Sequence, residues 1–437
     1  MNRQLSPSIG YIHAAARVFL ILISICAGLF TAFAIETPSV VYAQTFCPRS
    51  PQPILTTSQG IIGSPRLNTT GRRVTFESSQ DWVAGSNGDG NIEIFYSDIT
   101  NLESATINPS ATTVQLTDTD GDLFRGMSLS PAISGDGVYV LFASDDDPTD
   151  DETVLERENG QYELFIANLQ NSNAISMSLV TNMGFPRVGT AMNPVFNTDG
   201  SRAVYLANNI LHFDINTFSF PNLDGSTEVF LVEGDFANSG TLATTMLSNT
   251  SLTEFVGQPD ISGDGTHVAY VYDPDLADQG EIGSRIRIVD TSTIPATIIN
   301  VEEPTTGHQS QPQLNQDGSR IAYTVSQPAA GTSEVWFYDE QESLYRQIST
   351  GGYNLSPSIS DEGSRVVYVR MDPTNQQHNI YLYNKANNSN TLLSNTTAYN
   401  EQPTISGDGT TIAFVGFANS ISTFDNSGMG LYMAYCP

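Results

Sequence analysis

Seven in-register copies of one phrase run through this chain, and they constrain its fold more than any other feature. The fourth copy reads GQPDISGDGTHVAYVYD (Gly257 to Asp273), and the seventh reads EQPTISGDGTTIAFVGF (Glu401 to Phe417). The aligned prolines are Pro65, Pro131, Pro194, Pro259, Pro312, Pro357 and Pro403. The aligned turn glycines are Gly71, Gly137, Gly200, Gly265, Gly318, Gly363 and Gly409. Regular self-similarity of this kind marks units that cannot bury their faces alone and must stack on one another.

Within each copy, a short apolar alternation runs into an Asp-Gly turn and a second alternation follows. This predicts a β-hairpin, with glycine free to take positive φ. The proline lacks an N–H and is expected at the first residue of its strand. The turn aspartates are read as structural, bonding to nearby backbone. A third strand follows, as in Glu93 to Asp98 and Glu228 to Glu233, then a shorter fourth, as in Thr391 to Thr396. Four antiparallel strands repeated radially predict an all-β, seven-bladed β-propeller.

The last unit is one strand short. It has residues 402–435, and the missing strand is supplied by residues 53–58 at the front of the chain. Cys436 ends the third strand of that blade and Cys47 leads into the fourth, so a Cys47–Cys436 disulfide is expected to close the ring. The remaining cysteine, Cys26, lies in an apolar run, Val18 to Ala34, that follows Arg3 and Arg17 and precedes Val41-Tyr42-Ala43. That pattern describes a signal peptide over residues 1–43, with an uncleaved anchor as the competing reading. The expected organisation is a leader at 1–43 and a single propeller at 44–437, exported to the periplasm, cell surface or exterior, where thiols pair.

The phrases SPSISDEGSRVVYV and QPTISGDGTTIAFV resemble the TolB-type family of bacterial propeller repeats, distant relatives of WD repeats. The resemblance covers essentially the whole chain after the leader and implies a β-propeller. The family's namesake carries six blades after a separate α/β domain, whereas this chain has seven and no room for that domain. Propellers of related type accompany serine peptidases, but no Gly-x-Ser-x-Gly elbow is present. Others are polysaccharide lyases with a histidine-ligated metal. The histidines after the leader are His212, His267, His308 and His378, and they are not expected to converge.

The chain has 17 basic and 47 acidic residues and a formal charge of −30. Such a surface repels nucleic acid and anionic membrane. It suits a cation, a basic partner, or simple solubility. The loops between second and third strands are long and unlike one another, so binding is expected on their face. At the centre of that face lies a polar ring of residues preceding each proline. The expected mouth comprises Gln258, His308, Gln309, Gln311, Asn354, Asn400, Glu401 and Gln402, either holding a ligand or lining a solvated channel. Asp118, Asp120 and Asp122 are calcium candidates by their alternate carboxylates, against a solvated acidic rim as the plainer reading. No other cofactor is expected.

These features lead to an expectation of an exported, monomeric, non-catalytic propeller. It would serve as a binding or scaffold module for a protein, peptide or glycan, with no nucleic acid and no membrane span once the leader is removed. The alternative is a carbohydrate-active enzyme, lyase or hydrolase, with its site in the central funnel. Only Glu254, His308 and Glu401 offer acid–base groups at the mouth.

Overall fold

A computed structural model describes residues 39–437 except 43–46, 48, 58–59, 105–108, 120–125, 150–160, 172–173, 182–188, 209–221, 223, 239–240, 276–282, 294–296, 302–306, 395–398 and 418–427. Nearly all of the described secondary structure is β-strand. The strands form seven four-stranded antiparallel blades. Blade one has strands Ile62–Leu67, Arg73–Ser78, Glu93–Thr100 and Ser110–Gln115, numbered from the inside outwards. Blades two to six repeat that order. Blades five and six touch through one backbone bridge, Ser333 to Tyr353.

The middle strands explain the ring. Their sequences, such as Tyr139–Ser144 and Arg365–Met371, are nearly continuous apolar runs. A blade lies between two neighbours, so both faces of its middle strands need cover. The core accordingly divides into seven apolar clusters, one between each pair of neighbouring blades. The seventh joins the ends of the ring: Ala413, Val415, Leu431 and Met433 pack on Ile62, Val74 and Phe76.

Blade seven is completed as its shortfall requires. Gln52–Thr57 pairs antiparallel with Met429–Tyr435, with Gln52 opposite Met433 and Thr57 opposite Met429. Cys47 is bonded to Cys436 across a sequence separation of 389 residues. Arg365 of blade six donates to the carbonyl oxygens of Cys436 at 2.5 Å and Pro437 at 3.2 Å, fixing the C-terminal end beside the bridge.

Ser39–Tyr42 forms a short parallel strand on Ser389–Leu392, the outer strand of blade six. These four residues belong to the expected leader, and residues 1–38 lie outside the described residues. No described helix is long and apolar enough to cross a membrane.

The prolines are not at strand starts. Each inner strand begins three or four residues before its proline and is bulged there, as between Gly257 and Asp260 or between Ser310 and Gln313. The residue before each proline takes φ between 49° and 54°. Positive φ in seven non-glycine residues at one equivalent position marks a built feature rather than local accident. The proline follows where the bulge removes any ladder partner for an N–H.

A second repeated device escaped the sequence reading. Glu93, Glu163, Glu228 and Glu334 stand within the first three residues of third strands and are clasped by hydroxyls just beyond the fourth. Glu228 accepts from Ser226, Ser248 and Thr250, including the Thr250 N–H at 2.7 Å. Glu163 accepts from Thr181 at 2.6 Å. Burial raises the pKa of Glu93 and Glu334 despite such donors. The signal was legible, since a glutamate stands at or near the start of four of the third-strand segments.

Candidate functional site

The inner strands enclose one central cavity of about 470 Å³, lined by all seven blades. It has three tiers. At the Asp-Gly end, the second residue of each turn crowds the axis. Backbone hydrogen bonds run from blade to blade there: Thr69 N–H to Gly135 O at 2.9 Å, Gln316 N–H to Asp361 O at 2.9 Å, and Asp408 N–H to Thr69 O at 3.0 Å. Thr198 donates to Gln316 Oε1 at 2.8 Å across Gly263, where a Cβ would overlap both side chains. The cavity is therefore a funnel constricted at the turn face, and its wide end lies on the face with the long loops.

The turns themselves are structural. Asp264 accepts from Ser262 Oγ at 2.7 Å and from Thr266 N–H at 2.9 Å. Burial opposes ionisation of Asp199, Asp264 and Asp317, but the local donors outweigh it and hold all three below the usual carboxylate range.

The mouth ring is bound to itself. At four of the bulges the freed N–H is taken by a side chain of the preceding blade. Gln311 N–H donates to Gln258 Oε1 at 2.6 Å, Ser356 N–H to Gln311 Oε1 at 2.8 Å, and Ser64 N–H to Gln402 Oε1 at 2.8 Å. Glu77 plays the same part for Ser130 N–H at 2.9 Å and also accepts from Ser64 Oγ at 2.9 Å. These glutamines line the cavity and also hold blades together. Gln311→Ala is therefore expected to lower stability by about 1–3 kcal/mol through an orphaned N–H, and His308→Ala by much less. Urea unfolding of the two single variants checks this, and equal midpoints would contradict it.

The other expected mouth residues fall into two groups. Gln309, Asn354 and Asn400 do not line the cavity. They are buried two residues before the ring and peg the preceding blade, with Gln309 Oε1 accepting from Ile286 N–H at 2.8 Å and Asn400 donating to His378 O at 2.9 Å. His308 and Glu401 stay on the mouth face without a bond to each other. His308 Nδ1 accepts from Ser284 N–H at 3.4 Å, and Glu401 pairs with His378 Nδ1 at 3.0 Å. Glu254 is bonded to Tyr272 and Ser251, which hold its carboxyl below the usual range.

His267 lies by the turns, bonded to Thr266 at 2.8 Å, and His212 is outside the described residues. Of the calcium candidates, Asp118 is exposed, while Asp120 and Asp122 lie outside the described residues. Among the described residues, no group of three or more His, Cys, Asp or Glu is placed to hold a metal.

The middle tier holds the groups that sequence reasoning missed. It consists of the residue after each proline: Arg66, Ala132, Val195, Asp260, Gln313, Ser358 and Thr404. Arg66 is the only basic residue among the described residues of the lining. Asp260, from blade four, accepts from Leu314 N–H at 2.6 Å. Burial pushes its carboxyl up to about 7, against the Leu314 N–H and the Arg66 charge. The aligned repeats put one cation and one carboxylate at this position, and that was the available signal.

The pKa has a consequence for stability. A free aspartate titrates near 3.8 and the folded Asp260 near 7, so between those values the folded chain holds the extra proton. Stability from this group is greatest below the lower value and falls as pH rises to the upper one, by at most about 1.4 kcal/mol per pH unit. Asp260→Asn should remove that slope in urea unfolding followed across the window. An unchanged slope would contradict the assignment.

No protein-family model matches the sequence, and no curated protein matches it. Solved structures do match. An oligogalacturonate lyase from Vibrio parahaemolyticus aligns at TM-score 0.56 and 14% identity, over 87% of this chain and 92% of that one. An oligogalacturonate lyase in complex with manganese aligns at 0.55 and 15%, over 92% and 98%. An acylaminoacyl peptidase from Pyrococcus horikoshii aligns at 0.53 and 11%, over 86% of this chain but 51% of that one. A TolB from Acinetobacter baumannii aligns at 0.42 and 13%, over 76% and 77%.

At these identities the likeness speaks for the fold. It nevertheless corrects the expectation of a non-catalytic scaffold, because enzymes are prominent among the proteins sharing this ring over most of its length. That expectation had rested on acid–base groups failing to converge at the mouth; Arg66 and Asp260 lie one tier deeper in the same cavity. The seven blades, their bulged Pro and Asp-Gly repeats and the N-terminal closing strand make this chain a seven-bladed β-propeller, with repeats that resemble the TolB type.

Proposed function

We propose that this protein is an exported carbohydrate-active enzyme that cleaves a short acidic oligosaccharide by elimination in the central funnel. The observation that carries the reading is the middle tier, where the one cation of the lining shares the tier with a carboxyl of pKa about 7. The kinship in fold with oligogalacturonate lyases supports the substrate class. The net charge of −30 disfavours a long polyanion and suits a chain end with a single carboxylate. The disulfide suits an oxidising compartment, with the leader cleaved after Ala43.

Arg66 would pair its guanidinium with the uronate carboxylate and draw charge from the adjacent C5–H. Ionised Asp260 would take that proton. The C5–H electron pair then forms the C4=C5 double bond, the C4–O bond breaks, and the departing sugar oxygen takes a proton from water in the funnel, while Asp260 keeps the C5 proton until it passes to solvent. A base with pKa near ambient pH suits this transfer. The described histidines lie on separate blades and do not fit the donor set of a histidine-held manganese, so no step runs through a metal.

The test is incubation with oligogalacturonates and uronate-bearing xylan fragments, following the absorbance of unsaturated uronyl ends. Activity should rise as pH passes through about 7. Appearance of new reducing ends alone, with activity falling through the same pH, would assign hydrolysis with Asp260 as acid. No new ends of either kind would overturn the reading.

A further inference from the structure

A second cavity, also of about 470 Å³, opens on the mouth face between blades five and six. Its origin is readable in the strands. Blade five carries Thr324 and Ser326 on one face of its second strand, where blade six has Val369 and Met371 and blade seven has Val415 and Phe417. Ser310 lies opposite Thr324, and Ser333 lies opposite Ser326. Hydroxyls thus stand where blades six and seven carry apolar groups, and the 5–6 core ends short of the mouth. The short 3-10 helix Pro328–Ala330 and the left-handed Gly331 stand over the gap. Tyr353 of blade six forms the opposite wall. It is 38% exposed, and its hydroxyl reaches the Gly331 turn, 3.3 Å from where a Cβ there would sit.

Two features give the cleft a chemical character. None of its lining residues is charged, in a chain of net charge −30. It presents the half-buried Ser310 and Ser326 and the amides of Gln258 and Gln311 on one wall, backed by buried Thr324 and Ser333 that donate to Gln311 Oε1 and Asn354 O, and an aromatic ring on the other. It is also continuous with the funnel, because Gln258 and Gln311 line both. We propose that this cleft is a glycan subsite that seats one uncharged sugar residue, its C–H face stacked on Tyr353 and its hydroxyls bonded to Ser310, Ser326 and the neighbouring glutamine amides. This rests on the proposed function and extends it: the substrate is a mixed chain, with a uronate at Arg66 and a neutral sugar beside Tyr353. A charged neighbour would find no counter-ion in the cleft, whereas a sugar offers both the flat apolar face and the hydroxyl edge that the two walls require.

The experiment is calorimetric titration of the intact protein and of Tyr353→Ala, Tyr353→Phe and Arg66→Gln. The probes are neutral galacto- and xylo-tetrasaccharides and an oligogalacturonate. The neutral probes are expected to bind the wild type, to lose about tenfold in affinity with Tyr353→Ala, and to keep theirs with Tyr353→Phe and Arg66→Gln. Thermal melts confirm that the exposed Tyr353→Ala variant is folded. Neutral binding unaffected by Tyr353→Ala, or no neutral binding at all, overturns the subsite. If the oligogalacturonate then still binds and is lost in Arg66→Gln, the funnel reading survives alone. If no saccharide binds, both fall. An apolar tetrapeptide that binds in a Tyr353-dependent way, where the sugars do not, would overturn the ligand class.

Discussion

Asp260→Asn is expected to lower turnover of an acidic oligosaccharide by about 10²- to 10⁴-fold, the range typical of losing a positioned general base. The substitution keeps an oxygen for the Leu314 N–H, so the fold should persist. Arg66→Gln should lower kcat/KM by about 10²-fold or more, because a guanidinium opposite developing charge is worth most in an enclosed site. The two variants should differ in pH dependence. Arg66→Gln keeps the limb near pH 7 that belongs to Asp260, and Asp260→Asn loses it. Steady-state rates across neutral pH decide the matter. A full rate with Asp260→Asn would remove it from the chemistry and leave it as a peg for blade five.

Reduction of the Cys47–Cys436 bridge should produce the largest loss of stability. Chain entropy for a bridge spanning 389 positions gives an upper figure of about 6 kcal/mol, and measured bridges deliver up to about 5 kcal/mol. The structural consequence should be local before it is global. Gln52–Thr57 would then hold blade seven by its ladder alone, so amide exchange in Met429–Tyr435 should rise first. Cys47→Ser with Cys436→Ser should reproduce the reduced state and expose an unpaired strand edge that favours aggregation. Identical unfolding midpoints with and without reductant would show that strand pairing and the 7–1 apolar cluster suffice for closure.

The architecture was legible because a repeated sequence multiplies a weak signal. One Asp-Gly between two apolar alternations suggests a hairpin, whereas seven in register leave little but a ring of blades. The absent strand in the last unit and the two terminal cysteines then required each other. Local chemistry near those positions was equally readable, as in the Asp-Gly turns, whose aspartates bond only two residues away.

The bulges were not legible. A proline after a polar residue reads as a strand start, because sequence shows the missing N–H but not the partner that the edge of a sheet has already lost. The sorting of mouth residues into cavity and core was likewise hidden. Gln309 and Gln311 are two residues apart in one strand, yet the bulge between Ser310 and Gln313 leaves Gln311 in the lining and Gln309 buried against the preceding blade.

Arg66 and Asp260 stood at one repeat position in the sequence from the outset. Their place in the funnel and the pKa of Asp260 were decided only in the folded ring. Blades one and four are brought to a common axis there, and burial sets the price of ionising a carboxylate. The hairpins, their number and the covalent closure follow from short-range patterns that the sequence carries in full. Which side chains share a cavity, and with what proton affinity, follows from curvature and desolvation, and these exist only once all seven blades have closed.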